Sequence, residues 1–143
     1  MIRRRRFLVF VVVLALGAPL SMVITPAEEP ATARAPIPAD AKKRANPYAD
    51  NAESREIGKT LFEVQCAMCH GKTGDGTGDL AATLKLSVPK LGDLARDPKL
   101  TDGEYFWIVS EGCGTHMKGE KARMAEETRW HLVSYLRALA RQR

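Results

Sequence analysis

The chain has 143 residues, 45% of them hydrophobic and 27% charged, which argues for one small globular domain with extra segments and against general disorder or two full domains. The formal charge of +5 comes from the run Arg3–Arg6. Without those four, the 22 basic residues come close to balancing the 17 acidic ones, and charge gives no support to nucleic-acid binding.

The arginine run leads into residues 7–24, apolar apart from Ser21 and interrupted by Gly17 and Pro19. A basic start followed by an apolar stretch is an export signal. The stretch is at the short end of what spans a bilayer, so residues 1–25 read either as a cleaved signal peptide or as a retained membrane anchor. Residues 26–50 hold five of the eight prolines (Pro26, Pro30, Pro36, Pro38 and Pro47) and show no helical or strand period. They read as an extended linker, with the folded domain occupying 51–143.

Within that domain, Ile57, Leu61 and Val64 are spaced as the buried face of a helix that runs into Cys66-Ala67-Met68-Cys69-His70. Four glycines between 71 and 78 mark a loop, and residues 80–86 suit a short helix. Pro89 and Pro98 bound a stretch expected to be irregular. Thr101 and Glu104 have capping-box spacing and open a helix through Phe106, Ile108 and Val109 that stops near Gly112. A last helix spans 126–140, with Leu132, Leu136, Leu139 and Ala140 inward and Tyr135 beside them. Ala125 is a weak cap for it. No strand pattern is visible, and the expected class is all-α, with long loops that need a surface to pack against.

Cys-x-x-Cys-His is the attachment signature of c-type haem. Near a helix end, residues three apart share a face, so Cys66 and Cys69 can both reach one porphyrin while His70 turns an imidazole toward its iron. The same residue types also suit a dithiol redox pair, half of a zinc site completed by Cys113 and His116, or a structural disulfide. The dithiol usually sits in a βαβ context, and export favours haem over zinc. Gly71-Lys72-Thr73 looks like the end of a phosphate-binding loop, but that motif needs a glycine where Cys66 stands. The glycine loop instead suits backbone passing close to a flat porphyrin edge.

Residues from about 51 to 141 resemble the small class I cytochrome c domain of bacteria. Residues 58–71 are similar to its first helix and haem motif, 101–112 to its middle helix, and 130–139 to its closing helix. In that family a glycine and an aromatic of the first helix pack on an aromatic of the last, and Gly58, Phe62 and Tyr135 match them. The resemblance implies one covalently bound haem c on Cys66 and Cys69, with His70 and Met117 as axial iron ligands. Met124 falls at an apolar core position. Cys113 reads as a small buried thiol, His116 as an exposed loop residue, and His131 as facing solvent or packing. Pro89 is the proline that would lie against His70.

The function implied is that of a periplasmic electron carrier between redox proteins such as a dehydrogenase, an oxidase or a reductase. It is not an enzyme in itself, does not bind nucleic acid, and is soluble or tethered by residues 7–24. Two other readings compete: the haem c subunit of a larger oxidoreductase, and a haem enzyme or sensor whose sixth site is open. A filled sixth site suits electron transfer. The third reading requires Met117 not to ligate, and no His/Arg pair is evident on the distal side. A zinc-stabilised interaction module ranks last.

Overall fold

A computed structural model describes residues 36–49 and 51–141. The signal or anchor expected at residues 1–25 lies outside them. In chain order the elements are α1 (Ala39–Lys42), α2 (Ala52–Gln65), α3 (Ala67–His70), α4 (Asp79–Thr83), α5 (Leu91–Arg96), α6 (Asp102–Glu111), strands β1 (Gly112–Cys113) and β2 (Met117–Lys118), and α7 (Glu126–Ala138), which tightens into a 3-10 turn at Leu139–Arg141. The architecture is all-α apart from one two-stranded antiparallel pairing.

The crossing of α2 and α7 is the most extensive contact between elements. Asn51 caps α2 through its side chain, which accepts from the Ser54 N–H. The buried face of α2 is Ser54, Gly58 and Phe62. This corrects the expected stripe of Ile57, Leu61 and Val64, of which Ile57 and Val64 are exposed and only Leu61 packs on the core. The reason lies at Gly58. A Cβ there would run into the His131 carbonyl and sit 2.9 Å from the Tyr135 Cβ, so the helices cross with backbone nearly touching. The four-residue spacing around Gly58 then turns Ser54 and Phe62 inward. Phe62 meets Tyr135 in a tilted ring contact at 5.2 Å.

Local chemistry sets α6 as expected. The Thr101 side chain accepts from the Glu104 N–H, the Glu104 carboxylate accepts from the Thr101 N–H, and Gly112 ends the helix with φ of 89°. Ala125 starts α7 with no side-chain cap. Leu132, Leu136 and Leu139 are buried as expected, and so are Trp130, Val133 and Tyr135. The stretch between Pro89 and Pro98 is not irregular throughout. It holds α5, which buries Leu91 and Ala95.

Packing begins before Asn51. The chain from Ala39 to Tyr48 lies on α6 and α7 rather than running free. Gly103 lets the Ala41 carbonyl approach where any Cβ would collide, and Thr101 Oγ1 donates to the Lys42 carbonyl at 3.0 Å. Arg44 pairs with Glu126 and lies 4.4 Å from the centroid of Phe106, which is itself stacked on Trp130 at 4.1 Å. Buried Asn46 donates to Ser134 Oγ at 2.9 Å.

Candidate haem-binding site

Cys66 is shared by two helices. It ends α2, donating its N–H to the Phe62 carbonyl at 2.8 Å, and it starts α3. Its own carbonyl accepts from the His70 N–H at 2.9 Å and the Cys69 N–H at 3.1 Å. One helical turn thus carries Cys66, Cys69 and His70, all half-buried. Gly71, with φ of 76°, ends the turn, and the His70 carbonyl accepts from the Gly76 N–H at 2.8 Å. Val64 and Met68 are exposed beside this turn.

Burial and the nearby Glu120 carboxylate push the Cys66 thiol up to about 12, so it remains protonated at neutral pH. A dithiol redox pair works through a stabilised thiolate, and this environment does the opposite. Neither Cys66 nor Cys69 is in a disulfide. Among the described residues no three His, Cys, Asp or Glu side chains gather as a metal-ion site, so Cys113 and His116 do not complete a zinc site with the first pair.

His70 lies 6.4 Å from Phe62, centroid to centroid. Burial holds the imidazole pKa below its ordinary value and favours the neutral ring. Its Nδ1 is buried without a hydrogen-bond partner. The carbonyls of Val88 and Pro89 lie against Gly76.

The glycines of the 71–78 loop serve contacts within the protein. The open side of Gly74 faces Leu91 and Leu139, and that of Gly78 faces the backbone of Met68 and Cys69. At these two positions glycine allows close packing against α5, Leu139 and α3.

Met117 is half-buried on β2, paired with Cys113 of β1. Gly112 makes the pairing possible, because a Cβ there would strike the Met117 carbonyl. Gly114, with φ of 61°, turns the intervening loop. Strands of two residues carry no sequence period, so this pairing was not legible beforehand. His116 is exposed and Met124 packs on the core, both as expected, whereas Cys113, expected to be buried, is half-buried. His131 packs as well: its Nδ1 lies 2.8 Å from Ser54 Oγ and its ring 4.6 Å from Tyr48.

These residues suit a haem. The donor set comprises two thiols, a neutral imidazole with an orphaned buried nitrogen, and a thioether. Leu61, Ala67, Leu94, Ile108 and Met124 each pack on the core yet stay half-buried.

A family model described as "Cytochrome C oxidase, cbb3-type, subunit III" matches residues 53–136, more than half of the chain. The chain belongs to this family of c-type cytochromes. Membership makes it an electron-transfer protein with covalently bound haem c, and residues 66–70 carry the family's Cys-x-x-Cys-His pattern. Among solved structures, cytochrome CL from the marine methylotrophic bacterium Methylophaga aminisulfidivorans is similar in fold. The TM-score is 0.51 and the identity 23%, over 64% of this chain and 56% of that one. The chain thus spans little more than half the length of that relative. No curated protein matches it. Among the described residues no helix is long and apolar enough to cross a membrane.

Proposed function

We propose that Cys66 and Cys69 form the two thioether links to a single haem c, that His70 and Met117 are its axial ligands, and that the domain carries single electrons between redox proteins in the periplasm. The observation that carries this reading is His70: a half-buried imidazole whose burial favours the neutral ring and whose shielded Nδ1 has no partner, on the same helical turn as both cysteines. When bound, the haem supplies the one-electron iron couple. The protein's own part is to hold the ligands still. His70 is fixed through the Cys66 and Gly76 backbone hydrogen bonds. Met117 is fixed by its strand pairing and by the turn after it, where the Glu120 N–H donates to the Val109 carbonyl at 2.9 Å. A thioether is a soft, neutral ligand that favours ferrous iron, and a filled sixth position discourages oxygen or peroxide binding. The chain is a carrier rather than an enzyme on this reading.

The test is the visible spectrum of the purified reduced protein, with and without carbon monoxide. The wild type shows a sharp low-spin c-type spectrum that ignores the gas, and Met117→Ala shows one that shifts. A wild-type spectrum that shifts would move the open-site enzyme or sensor reading to the front.

A second reading is favoured by the family's description as an oxidase subunit. The domain would then be a fixed haem c subunit of a larger oxidoreductase, held by residues 7–24. Sedimentation of the detergent-solubilised native protein separates the two: a carrier runs near the 15.8 kDa of the chain, a subunit with a larger assembly.

A further inference from the structure

Among the described acidic side chains, Glu120 alone has a buried carboxylate oxygen with no hydrogen-bond partner, Oε2. Its other oxygen, Oε1, accepts from Arg123 Nη2 at 2.5 Å. Its backbone is held: the N–H donates to Val109, and the carbonyl accepts from the N–H groups of Arg123 and Met124 at 2.9 and 2.8 Å. After burial, Glu120 and then Cys69 raise the Cys66 thiol and Arg123 lowers it, so the two members of the pair act there with opposite sign. A fixed pair of opposite charges therefore stands on the turn that leads from Met117 to the half-buried Met124, with one end of the pair shielded from water.

The two charges are not screened alike. The Glu120 side chain is 13% exposed and the Arg123 side chain 62%. Water and salt damp the field of the arginine far more than that of the carboxylate. The pair is neutral in sum, yet its effect on a buried neighbour is not.

We propose that Glu120 sets the reduction potential of the haem, holding it lower than the ligands alone would, with Arg123 as a weaker counterweight. The oxidised iron carries one more positive charge than the reduced, so a nearby buried carboxylate favours the oxidised state. This inference rests on the haem assignment above and adds a tuning residue to it.

Redox titration of the haem-loaded protein, following its visible spectrum, tests the idea. In Glu120→Gln, the ratio of oxidised to reduced protein at a fixed potential falls about fivefold. That is a rise in midpoint of about 40 mV, at 59 mV per tenfold for a one-electron couple. Glu120→Asp stays nearer the wild type. Arg123→Gln shifts the ratio about twofold the other way and Arg123→Lys leaves it in place, and these two carry the comparison should Glu120→Gln lose its fold. The Glu120 shift persists at high salt while the Arg123 shift fades. An intact low-spin spectrum in each protein certifies the haem site independently of the midpoint. A thermal melt run alongside separates a structural role, which would lower the melting temperature and leave the midpoint alone. A change under twofold in Glu120→Gln with an intact spectrum, or a shift in the opposite direction, overturns the proposal.

Discussion

Replacing Gly58 by alanine sets two effects of known sign against each other at the crossing of α2 and α7. Alanine is the better helix former, by about 1 kcal/mol in a helix interior. The added methyl, however, would lie 2.7 Å from the His131 carbonyl carbon, closer still to its oxygen, and 2.9 Å from the Tyr135 Cβ. None of these atoms is the loose end of a flexible side chain. Relief requires the helices to part by on the order of an ångström, a gap that forfeits a quarter to a half of each dispersion contact along the seam. Phe62, 1% exposed, and Tyr135, 5% exposed, lie on that seam. Overpacking costs about 1–3 kcal/mol, and a clash with helix backbone stands at the upper end; about 3 kcal/mol lost against about 1 gained leaves a net loss of about 2 kcal/mol. For a domain near 100 residues this lowers the melting temperature by roughly 8–16 °C. Lys59→Ala, one residue along on the exposed side, changes stability by less than about 0.5 kcal/mol. The assay is a thermal melt of the haem-loaded proteins by far-ultraviolet circular dichroism, with urea titration as a second measure. A Gly58→Ala protein as stable as wild type would refute the close crossing.

Other outcomes follow from the same structure. Hydrogen bonding to the Thr101 N–H, then the charge of Lys42, holds the Glu104 carboxyl below its ordinary value. A depressed carboxyl stabilises the fold above the unfolded-state value of about 4.3 and loses that contribution as pH falls through the folded value. The melting temperature of Glu104→Gln is therefore below wild type at pH 7, and the two converge as pH falls through the folded-state value. Arg44→Ala removes a guanidinium from over Phe106 and Trp130 and costs about 1 kcal/mol in urea denaturation. A haem-loaded chain beginning at residue 51 melts below one beginning at residue 36, because the earlier start retains Arg44, Asn46 and the Lys42 carbonyl. Equal melting points would mean that residues 39–48 contribute nothing.

What could be read from sequence was what neighbouring residues decide. Thr101, Glu104 and Gly112 mark a helix by chemistry confined to a few positions, and Cys66, Cys69 and His70 announce theirs by spacing. Features set by distant partners were harder to see. Ile57, Leu61 and Val64 have a helical period, but the inward face of α2 is chosen by Gly58 against α7, more than 70 residues away in sequence. The six residues of α5 are too few to show a period, and the burial of Leu91 and Ala95 holds them. The segment from Ala39 looked like linker because its attachments are few and distant: the carbonyls of Ala41 and Lys42 meet Gly103 and Thr101, and the side chains of Arg44 and Asn46 reach residues 80 or more positions on. Glu120 gave no sequence signal, since its interest lies in the shielding of one carboxylate oxygen by the fold.

The docked N-terminal arm also fixes how far the domain can travel. In a chain that keeps residues 7–24 in a bilayer, residues 25–38 separate that segment from the docked arm, and a stretch of that length can reach at most about 50 Å. It attaches on the face made by α6 and the start of α7. A redox centre on so short a lead exchanges electrons with neighbours at the membrane surface and does not roam between distant ones.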